Sequence, residues 1–128
     1  MTSVLVIDDE VLVRKTLRLT LEAEGFSVFE AEDGEVGVAQ FVAQRPQVVL
    51  VDIVMPKKDG IETILELRKS SPKPLIVAMS GGRRVSPVSL LTTAQKIGAD
   101  EIVEKPFRGD DVVKLIKGRL QAHSQRSS

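Results

Sequence analysis

The amino-acid sequence predicts a three-layer α/β sandwich, a five-stranded parallel sheet held between two layers of helices. Three observations carry that expectation. Five short apolar runs are spaced along the chain, a segment with helical periodicity follows each, and 42% hydrophobic residues in a chain of 128 suffice for one core. Strict alternation of strand and helix implies right-handed crossovers, which lay the strands parallel and put helices on both faces of the sheet.

The first run, Val4–Ile7, is too short and too continuously apolar for a helix, and suits a strand buried on both faces. It ends at Asp8-Asp9. A helix follows from about Val11 to Glu24, with Leu17 and Leu21 four apart, and stops at Gly25, a favourable left-handed C-cap. The second strand is Ser27–Glu30. Asp33 is the candidate N-cap of a second helix, about Gly34 to Gln44, which ends before Pro46. The third strand, Val48–Val51, closes on Asp52, and Pro56 with Asp59-Gly60 shapes the loop into a third helix, about Gly60 to Ser70. Ile61, Ile64, Leu65 and Leu67 supply its apolar face.

The fourth strand, Leu75–Met79, leads to Ser80. Ser86-Pro87 reads as a cap followed by proline at the first position of a fourth helix, which ends at Gly98. The fifth strand, Glu101–Val103, runs towards Lys105. A fifth helix, about Gly109 to Gln121, keeps Val112, Leu115, Ile116 and Leu120 on one stripe. Residues 1–121 are thus expected to form one domain, and 122–128 a flexible polar tail carrying His123, the only histidine.

Composition removes several classes of function. With no cysteine there is no disulfide framework, thiol nucleophile or Cys-rich zinc site. Eighteen basic against eighteen acidic residues leave no net charge to draw the protein onto nucleic acid or an anionic membrane. No apolar stretch approaches the roughly 18 residues of a membrane span, and no charged, cleavable leader precedes the first strand. A cytoplasmic, soluble protein is expected.

Carboxylates that finish neighbouring buried strands meet in one crevice, where a proton, a cation or a basic side chain must relieve their repulsion. In open doubly wound sheets such a crevice, beyond the carboxyl ends of the strands, is where ligands bind. Four strands here present polar residues at that edge: Asp8-Asp9, Asp52, Ser80 and Lys105. Taken singly, Asp9 reads as an N-cap, Asp52 as a turn residue and Lys105 as a solvated strand end. Taken together they describe a site.

The ordered set Asp8-Asp9, Asp52-Ile53-Val54-Met55-Pro56, Asp59-Gly60, Ser80-Gly81 and Lys105-Pro106-Phe107 resembles the receiver domain of bacterial two-component response regulators, from Val4 to about Leu120. The resemblance implies a flavodoxin-like sheet in the order 2-1-3-4-5. It further implies that Asp52 accepts a phosphoryl group from a histidine kinase or histidine phosphotransfer protein. A carboxylate attacking an anionic phosphoryl group needs neutralisation, and Mg2+ takes oxygen ligands from carboxylates and phosphoryl oxygens. By the resemblance Asp9 is the direct metal ligand, Asp8 acts mainly through metal-bound water, and Asp52 and the backbone carbonyl of Val54 complete the protein ligands. Lys105 supplies positive charge to the phosphoryl oxygens, and the Ser80 hydroxyl and Gly81 amide supply hydrogen bonds. Pro106 matches a position where the peptide bond is usually cis, aiming the lysine inward. Glu10 reads only as an acid favouring the positive end of the first helix.

The chain departs from the family where most receivers carry a Tyr or Phe three residues before the lysine. Ile102 stands there, and it cannot repeat the swing of a ring that reports phosphorylation. Val54 and Gly82 match positions that tune the life of the phosphoryl group, and neither can position water, so slow self-dephosphorylation is expected. Arg83 and Arg84 read plainly as a solvated loop; the sharper reading is recruitment of an acidic partner or anionic ligand.

The expected function is therefore a stand-alone receiver that signals by phosphorylation-dependent binding to a downstream protein, with room for a weak or phosphorylation-dependent dimer. The alternatives are a phosphorelay intermediate that passes the group to a histidine, and a phosphorylation-independent adaptor. A phosphohydrolase typically carries a second acid where this chain has Val54, so an enzyme acting on other molecules is not expected. Nor is direct DNA binding, since the chain ends before any helix-turn-helix and has no basic surplus.

Overall fold

Apolar side chains alternate across five parallel strands so that each face of the sheet has its own core. The structure is a computed structural model and describes residues 2–53, 55, 59–70, 73–80 and 96–127, and side chains as far as 121. Its strands are β1 (Ser3–Ile7), β2 (Ser27–Ala31), β3 (Val48–Asp52), β4 (Leu75–Ser80) and β5 (Glu101–Glu104). They form one sheet in the order β2-β1-β3-β4-β5, every pair parallel. Each expected strand is present, extended by one residue.

The described helices are α1 (Val11–Ala23), α2 (Gly34–Gln44), α3 (Gly60–Leu67) and α4 (Gly109–Ser127). On one side of the sheet Val4, Val6, Val48 and Leu50 pack with Leu17 and Leu21 of α1 and with Val112 and Ile116 of α4. On the other, Leu5, Ile7, Val49 and Val51 pack with Phe41 of α2 and with Ile64 and Leu67 of α3. The central strand β3 is buried along its whole length. That burial on both faces is why its sequence reads as an unbroken apolar run instead of an alternating one.

Local chemistry sets the helix ends. The side chains of Asp33 and Asp59 accept hydrogen bonds from the amides of Val36 and Glu62, each at 2.9 Å, capping α2 and α3 as N-cap aspartates do. Gly25, just past the C-cap of α1, has φ of 91°. At the end of α2 the left-handed position falls to Arg45, φ 48°, whose guanidinium lies 5.4 Å over the Phe41 ring.

Two expectations need correction. The third helix ends at Leu67, short of Ser70, and gives way to a turn. The last helix does not stop at Gln121 but continues to Ser127, so residues 122–127 of the expected tail are helical in backbone. No proline or glycine interrupts 121–127, and Gln121, Ala122 and Arg126 are good helix formers. Most of the expected fourth helix, together with Val54, Pro56, Gly81, Gly82, Arg83 and Arg84, lies outside the described residues, as does the His123 side chain.

Candidate functional site

The reversal of strand order falls between β1 and β3, whose carboxyl ends deliver Asp8 and Asp52 side by side. Both are buried, Asp8 fully and Asp52 to 5% exposure. An isolated buried carboxylate is costly, so its partners decide what it can do. Asp8 Oδ1 accepts a hydrogen bond from the Glu10 amide at 2.9 Å, and Asp8 Oδ2 accepts one from Lys105 Nζ at 2.8 Å.

Lys105 arrives from the end of β5, where its amide donates to the Ser80 carbonyl and the Lys105-Pro106 peptide is cis, as expected. Its ammonium reaches three acids: besides Asp8, it stands 3.3 Å from Asp52 Oδ2 and 3.3 Å from Glu10 Oε1. Burial opposes charge on the amine, but the hydrogen bond to Asp8 and the charges of Asp52, Asp8 and Glu10 prevail and hold its pKa above the ordinary lysine value. Ser80, last in β4, is buried beside the same edge and pairs in the sheet with Glu104.

The carboxylates that gather are Asp8, Glu10 and Asp52, each offering an oxygen within 4.8 Å of the others. One expected residue stands outside this group and one unexpected residue stands in it. Asp9, expected as the direct metal ligand, is exposed and outside that group, while its neighbour Asp8 points inward. Glu10, expected only to favour the helix dipole, joins the cluster; as N-cap of α1 it makes no side-chain capping bond.

Arg14 fixes the acidic edge from outside. Its Nη1 donates to the Asp8 carbonyl at 2.8 Å and its Nε to Glu30 Oε1 at 2.9 Å, tying α1, β1 and β2 together. Neither contact is visible in the sequence, because an Arg on an amphipathic helix is ordinarily solvated.

The donor set suits a hard divalent cation. Three carboxylate oxygens are close enough to share one ion, and a lysine ammonium already stands among them as the positive charge the site requires. Asp8 and Asp52 from the strand ends would hold Mg2+, which when bound neutralises charge on a phosphoryl group.

Fold and site together define a doubly wound α/β domain with an acidic, lysine-bridged crevice at its topological switch point. Residues 4–117 match the response regulator receiver domain family, and the chain belongs to it. This places it among the receiver domains of two-component systems, whose phosphorylation and Mg2+ binding are consistent with the acidic cluster. The chain is 33% identical over 126 residues to the transcriptional regulatory protein ResD of Bacillus subtilis, covering 98% of this chain and 51% of that protein. It thus spans about half the length of that curated relative. A CheY-like receiver domain protein from Methanospirillum hungatei has the same fold, with a TM-score of 0.90 and 23% identity over 98% of each chain. Vibrio cholerae chemotaxis protein CheY4 is 28% identical with a TM-score of 0.80, over 91% of this chain and 97% of that one. Among the described residues, no helix is long and apolar enough to cross a membrane.

Proposed function

We propose that Asp52 is the phosphoryl acceptor, with Mg2+ held by the acidic crevice and a histidine kinase or histidine phosphotransfer protein as donor. What carries this reading is the Asp52 carboxylate at the end of β3, nearly buried yet 3.3 Å from the Lys105 ammonium. Asp52 Oδ attacks phosphorus, the P–N bond to the donor histidine breaks, and the leaving nitrogen keeps the electron pair and takes a proton. Lys105 stabilises the transferring oxygens. On this reading the phosphoryl group stays on the domain's own Asp52, and the domain is a phosphoacceptor and not an enzyme that turns over other molecules.

The test is intact mass after incubation with Mg2+ and acetyl phosphate. Wild type should gain one phosphoryl group and Asp52→Asn none. If wild type gains nothing from this donor or from any cognate kinase, the adaptor reading takes over. The adduct, once formed, should persist for minutes or longer; a half-life of seconds would contradict the expectation based on Val54 and Gly82.

Signalling through phosphorylation-dependent protein binding by a receiver without its own output domain is the further part of the proposal. It is supported by the similarity to CheY4, nearly all of which this chain covers. The mass of the protein in its own cells, read by immunoblot, tests it: a band well above 14.0 kDa would point to an attached output domain. Rapid onward transfer to a phosphotransfer domain would favour the relay.

A further inference from the structure

Asp8 and Asp52 are accounted for by the reading above, but Glu10 is not. Its position departs from that of an ordinary helix-starting acid. It is the N-cap of α1, yet its carboxylate makes no capping hydrogen bond and turns instead to Lys105, 95 residues away, at 3.3 Å. The exposures divide the cluster into an inside and an outside. The side chains of Asp8 and Asp52 are 0% and 7% exposed and that of Lys105 12%, whereas Glu10 is 59% exposed. Glu10 therefore stands on the solvent side of the cluster, where its charge acts on an incoming cation or phosphodonor.

Its charge has opposite consequences for those two visitors. Asp8, Glu10 and Asp52 carry three negative charges against one positive on Lys105, a formal surplus of −2 that one divalent cation cancels. Without Glu10 the surplus is halved, so a cation is attracted less. An anionic donor approaching the same mouth is repelled by Glu10 and meets less repulsion without it. Glu10 also shares the Lys105 ammonium with Asp52, each at 3.3 Å, so it draws on the positive charge that faces the acceptor.

We propose, building on the phosphoacceptor reading, that Glu10 is a positioning residue that strengthens cation binding at the Asp8–Asp52 crevice and, by its charge and its share of the Lys105 ammonium, slows phosphoryl uptake. The two effects have opposite signs, which a general loss of folding would not produce.

The experiment compares wild type, Glu10→Gln and Glu10→Asp. Mg2+ affinity is measured by titration calorimetry without a phosphodonor, and initial phosphorylation by acetyl phosphate is followed by intact mass at saturating Mg2+. Glu10→Gln should raise the Mg2+ Kd about fivefold and raise the saturated initial rate about twofold or more, both changes shrinking in high salt. Glu10→Asp, which keeps the charge, should restore most of the Mg2+ affinity. An unchanged or lower Kd in Glu10→Gln, or a reduced rate at saturating Mg2+, overturns the proposal. If wild type itself neither binds Mg2+ nor takes up a phosphoryl group, the phosphoacceptor reading fails as well. If wild type does both and Glu10→Gln matches it, only the role of Glu10 fails.

Discussion

Gly60 passes so close to Asp52 that a Cβ on it would lie 2.3 Å from the Asp52 carbonyl oxygen and 2.5 Å from the Ile53 Cα. The obstructing atoms are backbone and cannot rotate away. The Gly60 amide also donates to the Ile53 carbonyl at 2.8 Å, so the first turn of α3 is seated directly on the end of β3. Gly60→Ala must move one or the other. We expect a loss of about 2 kcal/mol or more in urea unfolding. Phosphoryl uptake by Asp52 should fall about tenfold or more, because the acceptor moves with its backbone. Wild-type stability in Gly60→Ala would show that the contact relaxes without cost.

Lys105 is the only cation the described structure places within reach of Asp8, Glu10 and Asp52 together. Lys105→Met leaves the buried Asp8 facing Asp52 without it. In the absence of divalent cations this should cost about 3 kcal/mol, in the lower range for breaking a buried ion pair. Mg2+ should recover part of the loss, since a ligand bound only by the native state stabilises it. Unfolding curves with and without Mg2+ read this directly, and an equal loss in both would argue against a shared cation site.

How far the sequence discloses this arrangement depends on how local its cause is. Val48–Val51 declares itself because a strand buried on both faces must be apolar throughout, and Asp33 because an N-cap needs only its own helix. That Asp8 and not Asp9 is the buried one of the pair is less legible: both lie just past β1, and adjacent identical residues carry no mark of which is covered. Glu10 is the least legible. Its partner Lys105 comes from the far end of the chain, and an acid at a helix start already has a sufficient local explanation in the helix dipole. The helical backbone beyond Gln121 was obscured for another reason, since a polar segment without apolar periodicity can still extend a helix already nucleated.

Partner binding gives a further expectation, centred on Ile102. It is partly buried on β5 and packs against the cluster that contains Ile76 and Ala78. A β-branched side chain is stiff at χ1, so phosphorylation should leave its environment nearly unchanged. Methyl spectra of the free and phosphorylated protein should show smaller shifts at Ile102 than around Ser80. A large shift at Ile102 would mean that this position reports the state of Asp52 after all.

Glu30 carries an acid-sensitive set of ion pairs on β2. Burial alone would raise its pKa, but hydrogen bonds from Arg18, Lys15 and Arg14 outweigh that and bring it down to about 2 from an ordinary 4.5. A carboxyl group depressed on folding stabilises the native state above its unfolded pKa. That stabilisation is therefore complete above about 4.5 and is lost as pH falls from there towards 2. Lys15 and Arg18 are substantially exposed, so solvent screening reduces the contribution to about 1–2 kcal/mol. Arg14 carries the consequence inward, because the guanidinium that pairs with Glu30 also holds the Asp8 carbonyl. Glu30→Gln should accordingly destabilise the protein at neutral pH and flatten its stability profile between pH 4.5 and 2. Denaturant midpoints measured across that window for both proteins decide the matter, and parallel profiles would assign the acid sensitivity to other carboxylates.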